Sequence, residues 1–145
     1  MQVLHHTRHD TGVPGYVSSL DDLLTRSDIV SLHVPLTEET RHLIGARELT
    51  LLRPHAVLVN TARGPVVDEE ALADALHAGT LFAAGLDVYE REPTVHPRLR
   101  SAPRTVLLPH IGSASRATRT QMARVAVAGV CDVLAGRTPA NLVTA

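Results

Sequence analysis

The 145-residue sequence predicts an α/β fold, a parallel sheet of about five strands with flanking helices. Three observations predict it. Short apolar runs bounded by turn residues recur roughly every 25 residues, with helical matter between them, the rhythm of βαβ units. The clearest run, Ala56-Val57-Leu58-Val59, is continuously apolar rather than alternating, as befits a strand buried on both faces. Between two of the runs lies a helix with both ends marked, from Asp68 to Gly79.

In chain order, Met1 to His6 reads as a first short strand, followed by the Gly12-Val13-Pro14-Gly15 turn. Ser18 or Ser19 can cap a short helix with Asp21 and Asp22 in its first turn and Leu20, Leu23 and Leu24 facing inward. Asp28 to His33 is the next strand, stopped by Pro35. Thr37 to Leu43 and Ala46 to Leu52 are helical turns, and Ala56 to Asn60 is the third strand. Asp68 then caps a helix with Leu72 and Leu76 four apart, closed by Gly79. Leu81 to Leu86 and Thr105 to Leu108 complete the strands. Ser115 starts a last helix, with Met122, Val125, Val130 and Val133 on one face and Gly136 at its end; residues 136–145 read as a tail.

Composition narrows the function classes. A net charge of −1 and only three aromatic residues (Tyr16, Phe82, Tyr89) argue against nucleic acid or an anionic membrane as partner. No apolar run is long enough to span a bilayer, so the expectation is a cytoplasmic protein. The single cysteine, Cys131, excludes an intramolecular disulfide and reads as a small core residue. His5, His6 and His9 make no metal site, because a strand sends His5 and His6 to opposite faces and no acid or cysteine is spaced to join them. His33, His42, His55, His77 and His96 carry no partner pattern, and Arg116, Arg119 and Arg124 read as a solvated helix face.

The chemistry-bearing residues cluster just past strand ends, where open α/β sheets place their ligands. Arg63 follows the third strand in Asn60-Thr61-Ala62-Arg63-Gly64, Asp87 ends the fourth, Glu92 lies in Tyr89-Glu90-Arg91-Glu92-Pro93, and His110 follows the fifth in Pro109-His110-Ile111-Gly112-Ser113. Arg63, Asp87, Glu92 and His110 could therefore converge on one sheet edge.

These segments, in this order and with this spacing, resemble the D-isomer-specific 2-hydroxyacid dehydrogenases, of the glyoxylate/hydroxypyruvate reductase kind. His33-Val34-Pro35-Leu36-Thr37 is similar to that family's loop beneath the nicotinamide. The resemblance implies an NAD(P)-dependent oxidoreductase moving a hydride between the cofactor and a 2-oxo or 2-hydroxy acid. Arg63 would grip substrate, His110 act as general acid/base and Glu92 partner it. Asp87 would hold the nicotinamide ring, with Val34, Pro35, Thr61, Ala62, Arg63, His110, Gly112 and Ser113 around the cofactor. The chemistry is apt: an arginine fork suits a carboxylate beside a carbonyl, and a carboxylate next to a histidine favours the imidazolium. The alternative is a non-catalytic nucleotide-binding module or an inactive remnant. A homodimer is implied for the parent enzyme.

The sequence departs from that family at one place: it holds no G-x-G-x-x-G turn, and Gly12 and Gly15 stand alone after the first strand. Met1 to Leu4 resembles the family's second strand. The expectation is thus a Rossmann-like sheet lacking its first βα unit and the substrate-side lobe, from a truncated or wrongly started reading frame. At the end of the first strand, His6-Thr7-Arg8 places an arginine where NAD enzymes carry an acid, which predicts a modest preference for NADP over NAD. From the strand order 3-2-1-4-5-6, Val3–His6 is expected to pair with Asp28–His33, and Ala56–Asn60 with Leu81–Leu86, leaving an open gap between the two groups.

Overall fold

A computed structural model describes residues 1–143. Thr144 and Ala145 of the expected tail lie outside the described residues. The chain forms two compact units, residues 1–109 and a second beginning at His110.

In the first unit the elements are α1 (Leu20–Arg26), β1 (Ile29–Leu32), α2 (Ala46–Leu51), β2 (Val57–Asn60), α3 (Glu69–Ala78), β3 (Ala83–Leu86), α4 (Pro97–Arg100) and β4 (Thr105–Leu107). The strands form one parallel sheet in the order β1-β2-β3-β4. Local signals fix the helices. The Ser19 hydroxyl accepts from the Asp22 N–H at the start of α1, and the Asp68 carboxylate accepts from the Ala71 N–H at the start of α3. Gly79 closes α3 in the left-handed conformation at φ 72°. The core is aliphatic: Leu24, Ile44, Leu58, Leu72, Leu76, Leu81 and Leu99 are fully buried, each contributing about 1.5–3 kcal/mol of transfer free energy.

The α/β class and the parallel sheet match the sequence; the strand arrangement differs. Among the described residues four strands form rather than about five. Val3–His6 makes no ladder with β1 or β2; it contributes a single parallel bridge, His5 to Tyr16, in which the His5 N–H donates to the Gly15 carbonyl and the Val17 N–H to the His5 carbonyl. β1 pairs directly with β2 through Ile29–Val57, Val30–Leu58, Ser31–Val59 and Leu32–Asn60, so the expected gap at that position does not exist. The register explains why: it lines up buried Val30 with buried Leu58 and buried Leu32 with buried Asn60, and the ladder is continued by the Val57 N–H donating to the Asp28 carbonyl.

The second unit consists of α5 (Arg116–Leu134) and the segment after it. The Ser115 hydroxyl accepts from the Thr118 N–H, and Gly136 follows the helix at φ 69°. None of the α5 side chains is buried, and Met122, Val125, Val130 and Val133 are all exposed. Cys131 is exposed too, which corrects its expected place in a core. Described residues of the segment read as a tail fold back on the helix: Arg137 pairs with Asp132 at 2.7 Å, and the Asn141 side chain lies against Gly129. Among the described residues no helix is long and apolar enough to cross a membrane.

Candidate active site

The sheet register sets Leu32, Asn60 and Leu86 side by side, so the segments leaving β1, β2 and β3 emerge at one edge. Val34 is half-buried and Pro35 exposed just beyond β1; the Thr40 hydroxyl donates to the Pro35 carbonyl at 2.6 Å and shapes that turn. Beyond β2, Asn60 is 1% exposed and spends both ends of its amide on the turn. Its side-chain oxygen accepts from the Ala62 N–H at 3.0 Å and its nitrogen donates to the Arg63 carbonyl at 2.9 Å. Ala62 is buried, while Thr61 and Arg63 are exposed, and Arg63 Nη1 donates to the Ala62 carbonyl at 2.7 Å. The cation thus stands in solvent on a turn whose backbone is fixed from below.

The segment after β3 is tied to that turn. The Asp87 N–H donates to the Asn60 carbonyl at 3.0 Å, and the Asp87 side chain is buried. Glu92 Oε1 accepts from the Tyr89 N–H at 2.9 Å, and the Tyr89 hydroxyl donates to the Leu108 carbonyl at 2.9 Å. Burial pushes the Tyr89 phenol up, against the hydrogen bond to Leu108 that lowers it. A side chain at Gly64 would put its Cβ 1.9 Å from the Tyr89 carbonyl carbon, so only glycine lets the two backbones meet.

Residues given no role by the sequence reading also sit at this junction. Glu90 Oε1 accepts from the Glu69 N–H and from His42 Nε2, both at 3.0 Å, while Glu69 Oε1 accepts from the Glu90 N–H at 2.8 Å. His42, read from sequence as partnerless, is held in the left-handed conformation at φ 51°, and its N–H donates to the Pro65 carbonyl. Glu69 is 5% exposed, and this burial raises its carboxyl above the usual range; the Glu90 N–H opposes that shift and the Glu90 charge adds to it. In sequence Asp68 reads as a helix cap with Glu69 and Glu70 in the first turn; a glutamate reaching 21 residues along the chain to an amide leaves no local pattern.

Arg63, Asp87 and Glu92 belong to the first unit, and His110, Gly112 and Ser113, all exposed, to the second; His110 has φ 54°. Arg8 is exposed after the His5 bridge, and its charge contributes, as the smallest cause after a Thr37 hydrogen bond, to holding the Glu39 carboxyl low. Among the described residues no group of three His, Cys, Asp or Glu side chains is placed to hold a metal ion.

Open parallel sheets bind their ligands outside the carboxyl ends of the strands, where Arg63, Asp87 and Glu92 stand in this sheet. Residues 1–112 match the model of the D-isomer specific 2-hydroxyacid dehydrogenase, NAD binding domain, and the chain belongs to that family. It is 46% identical over 140 residues to glyoxylate/hydroxypyruvate reductase B of Enterobacter agglomerans, a match covering 96% of this chain and 43% of that protein. A glyoxylate reductase of Aeropyrum pernix is 45% identical, with 99% of this chain and 44% of that one covered. Among solved structures, the TT0316 protein of Thermus thermophilus superposes with a TM-score of 0.93 at 47% identity, over 99% of this chain and 46% of the other. An NADPH-dependent glyoxylate/hydroxypyruvate reductase of Sinorhizobium meliloti, solved with NADP and malonate, gives 0.81 at 40% identity, over 88% and 41%. The chain spans less than half the length of these relatives.

Proposed function

We propose that this chain supplies the nicotinamide-side residues of an oxidoreductase that interconverts a 2-oxo acid, such as glyoxylate or hydroxypyruvate, and its 2-hydroxy acid. The observation that carries this is the exposed Arg63 on a turn anchored by buried Asn60, joined by hydrogen bonds to the segment bearing Asp87 and Glu92. When bound, the nicotinamide supplies or accepts the hydride. Arg63 grips the substrate carboxylate and polarises the carbonyl with its planar fork. His110 gives its proton to the carbonyl oxygen as negative charge builds there, and takes it back in the reverse direction. In the family pattern Glu92 is the partner of that histidine, and a carboxylate beside an imidazole would favour the imidazolium.

The donor set fits the nicotinamide end of the cofactor. Asp87 is a buried acceptor at the end of a central strand, suited to a carboxamide N–H, and Val34 offers an apolar wall beside Pro35. By resemblance to the family, Thr61, Ala62, Gly112 and Ser113 would also be assigned to the cofactor. The 145 residues contain no glycine-rich pyrophosphate turn. We assign exposed Arg8 to a ribose 2′-phosphate, which would favour NADP modestly over NAD. In this reading the enzyme is a cytoplasmic homodimer, with no nucleic acid or membrane partner.

The test is a chimera of the Enterobacter agglomerans reductase in which this chain replaces the matching residues. It should reduce glyoxylate with NADPH, and His110→Ala should lower turnover by about a hundredfold or more. Arg63→Lys should fail as well, since an ammonium cannot reproduce the two-pronged grip. Arg8→Ala should raise KM for NADPH far more than for NADH. Near-parental activity of Arg63→Lys would remove the substrate assignment. Cofactor binding without turnover in the chimera would favour a nucleotide-binding module instead.

A further inference from the structure

We propose that Glu69 and Glu90 are positioning residues, a reciprocal clasp that locks the turn carrying Arg63 onto the segment carrying Glu92. The functional side of this inference rests on the substrate role of Arg63 just given.

The geometry is closed in both directions. Each carboxylate accepts the backbone N–H of the other residue, Glu69 from Glu90 at 2.8 Å and Glu90 from Glu69 at 3.0 Å. Glu69 is the first residue of α3, six positions after Arg63, and Glu90 lies two positions before Glu92. An acid in the first turn of a helix ordinarily faces water, as the neighbouring Glu70 does; Glu69 instead is turned inward and buried. Two like charges this close are unfavourable unless each is compensated by donors. Here the donors are the two amides, joined by the His96 backbone on Glu69 and by His42 Nε2 on Glu90.

His42 brings a further segment into the clasp, since its own N–H holds the Pro65 carbonyl inside the turn that follows Arg63. Gly64 makes the fit possible, because any larger residue would collide with the Tyr89 and Glu90 backbone. The clasp therefore grips the Arg63 turn immediately on its C-terminal side, while Asn60 grips it on the N-terminal side. Asn60 shapes the turn, and the glutamates set where the shaped turn stands against its neighbour.

The experiment uses this chain. Amide hydrogen exchange is followed by NMR at one pH in the parent, Glu69→Ala, Glu69→Gln, Glu90→Ala and Glu90→Gln, alongside binding of oxalate, a planar dicarboxylate probe, read at the Arg63 side-chain N–H. In Glu69→Ala the Glu90 amide should exchange at least about tenfold faster, and in Glu90→Ala the Glu69 amide likewise, with Leu58 and Ala84 unchanged. The glutamine variants keep an acceptor oxygen and should stay within about threefold of the parent. Oxalate affinity should fall in the alanine variants and be restored in the glutamine ones. Unchanged exchange at the partner amide, or a rise spread evenly through β2 and β3, would overturn the clasp. Loss of protection with oxalate affinity intact would overturn its positioning role. Failure of the parent to bind oxalate would count against the substrate role of Arg63, and with it the positioning role, while the exchange data still decide the clasp.

Discussion

Helices α3 and α5 begin alike and end alike, yet they are different kinds of object. Each opens on a side chain that accepts a backbone N–H, Asp68 in one and Ser115 in the other, and each is followed by a glycine at positive φ. The 10 residues of α3 include five buried ones, Glu69, Leu72, Ala73, Ala75 and Leu76. The 19 residues of α5 include none. Caps decide where a helix starts and stops, but they say nothing about how much of it is buried. The stability of α3 comes from its packed face, whereas α5 has no buried side chain to supply one.

The largest expected effect breaks the two helices apart by truncation. Leu72→Ala in α3 removes a fully buried side chain and should cost about 2–5 kcal/mol in urea unfolding. Val130→Ala in α5 removes one that is 59% exposed and should change stability by no more than about 0.5 kcal/mol. Equal costs would mean the α5 face is covered in solution and would end the comparison.

Glycine to alanine should give opposite signs in the two regions. At Gly64, just ahead of α3, the new methyl would meet the Tyr89 backbone at 1.9 Å, and overpacking of this kind costs about 1–3 kcal/mol or more. At Gly129, inside α5, the nearest atom is the Asn141 side-chain oxygen at 3.3 Å, which can rotate away. There the substitution should stabilise by about 0.5–1 kcal/mol through helix propensity, visible as a higher Tm. The caps form a smaller and nearly symmetric pair: Asp68→Ala and Ser115→Ala should each cost about 1 kcal/mol. A Ser115 variant without loss of helicity by circular dichroism would show that the cap bond is not formed in solution.

What the sequence disclosed follows the same division. Ser19, Asp68, Gly79, Ser115 and Gly136 act within a few residues of themselves, so the starts of α1, α3 and α5 and the ends of α3 and α5 were readable from their neighbours. By contrast α4 was not foreseen, and Thr37 to Leu43, expected as a helical turn, forms no helix. The runs at 57–60 and 83–86 are apolar enough to be recognised without knowing their partners. Pairing was another matter. Val3–His6 has the apolar-and-turn pattern of a strand, but a ladder needs a neighbour in register, and here it finds only Tyr16. The valines of α5 repeat at helical spacing whether or not anything covers them, so the pattern gave a face and not its burial. Within the candidate site, Arg63, Asp87 and Glu92 stood out because each follows a strand. His42, Glu69 and Glu90 did not, because their contacts join residues far apart in sequence and use backbone amides that every residue has.

The smallest effect is one of pH, and it belongs to α3 alone, since α5 has no acid in its first turn. Burial raises the folded-state pKa of Glu69, so the folded chain keeps that proton where the unfolded chain has lost it. The sign follows: the Glu69 contribution is fully present below the ordinary glutamate range and is lost as pH rises through the raised value. Asp21, Asp28 and Glu39 act in the opposite direction. Hydrogen bonds from Arg47, from His55 and Arg53, and from Thr37 hold them low, so what they add is lost as pH falls. Glu69→Gln isolates the first behaviour, since it keeps an acceptor for the Glu90 amide and discards the charge. Its stability should gain on the parent as pH rises from about 4 to about 7. Urea unfolding of both proteins across that range measures the difference directly. A difference that stays flat would show that Glu69 titrates like a solvated glutamate, and that the start of α3 is as open to water as the start of α5.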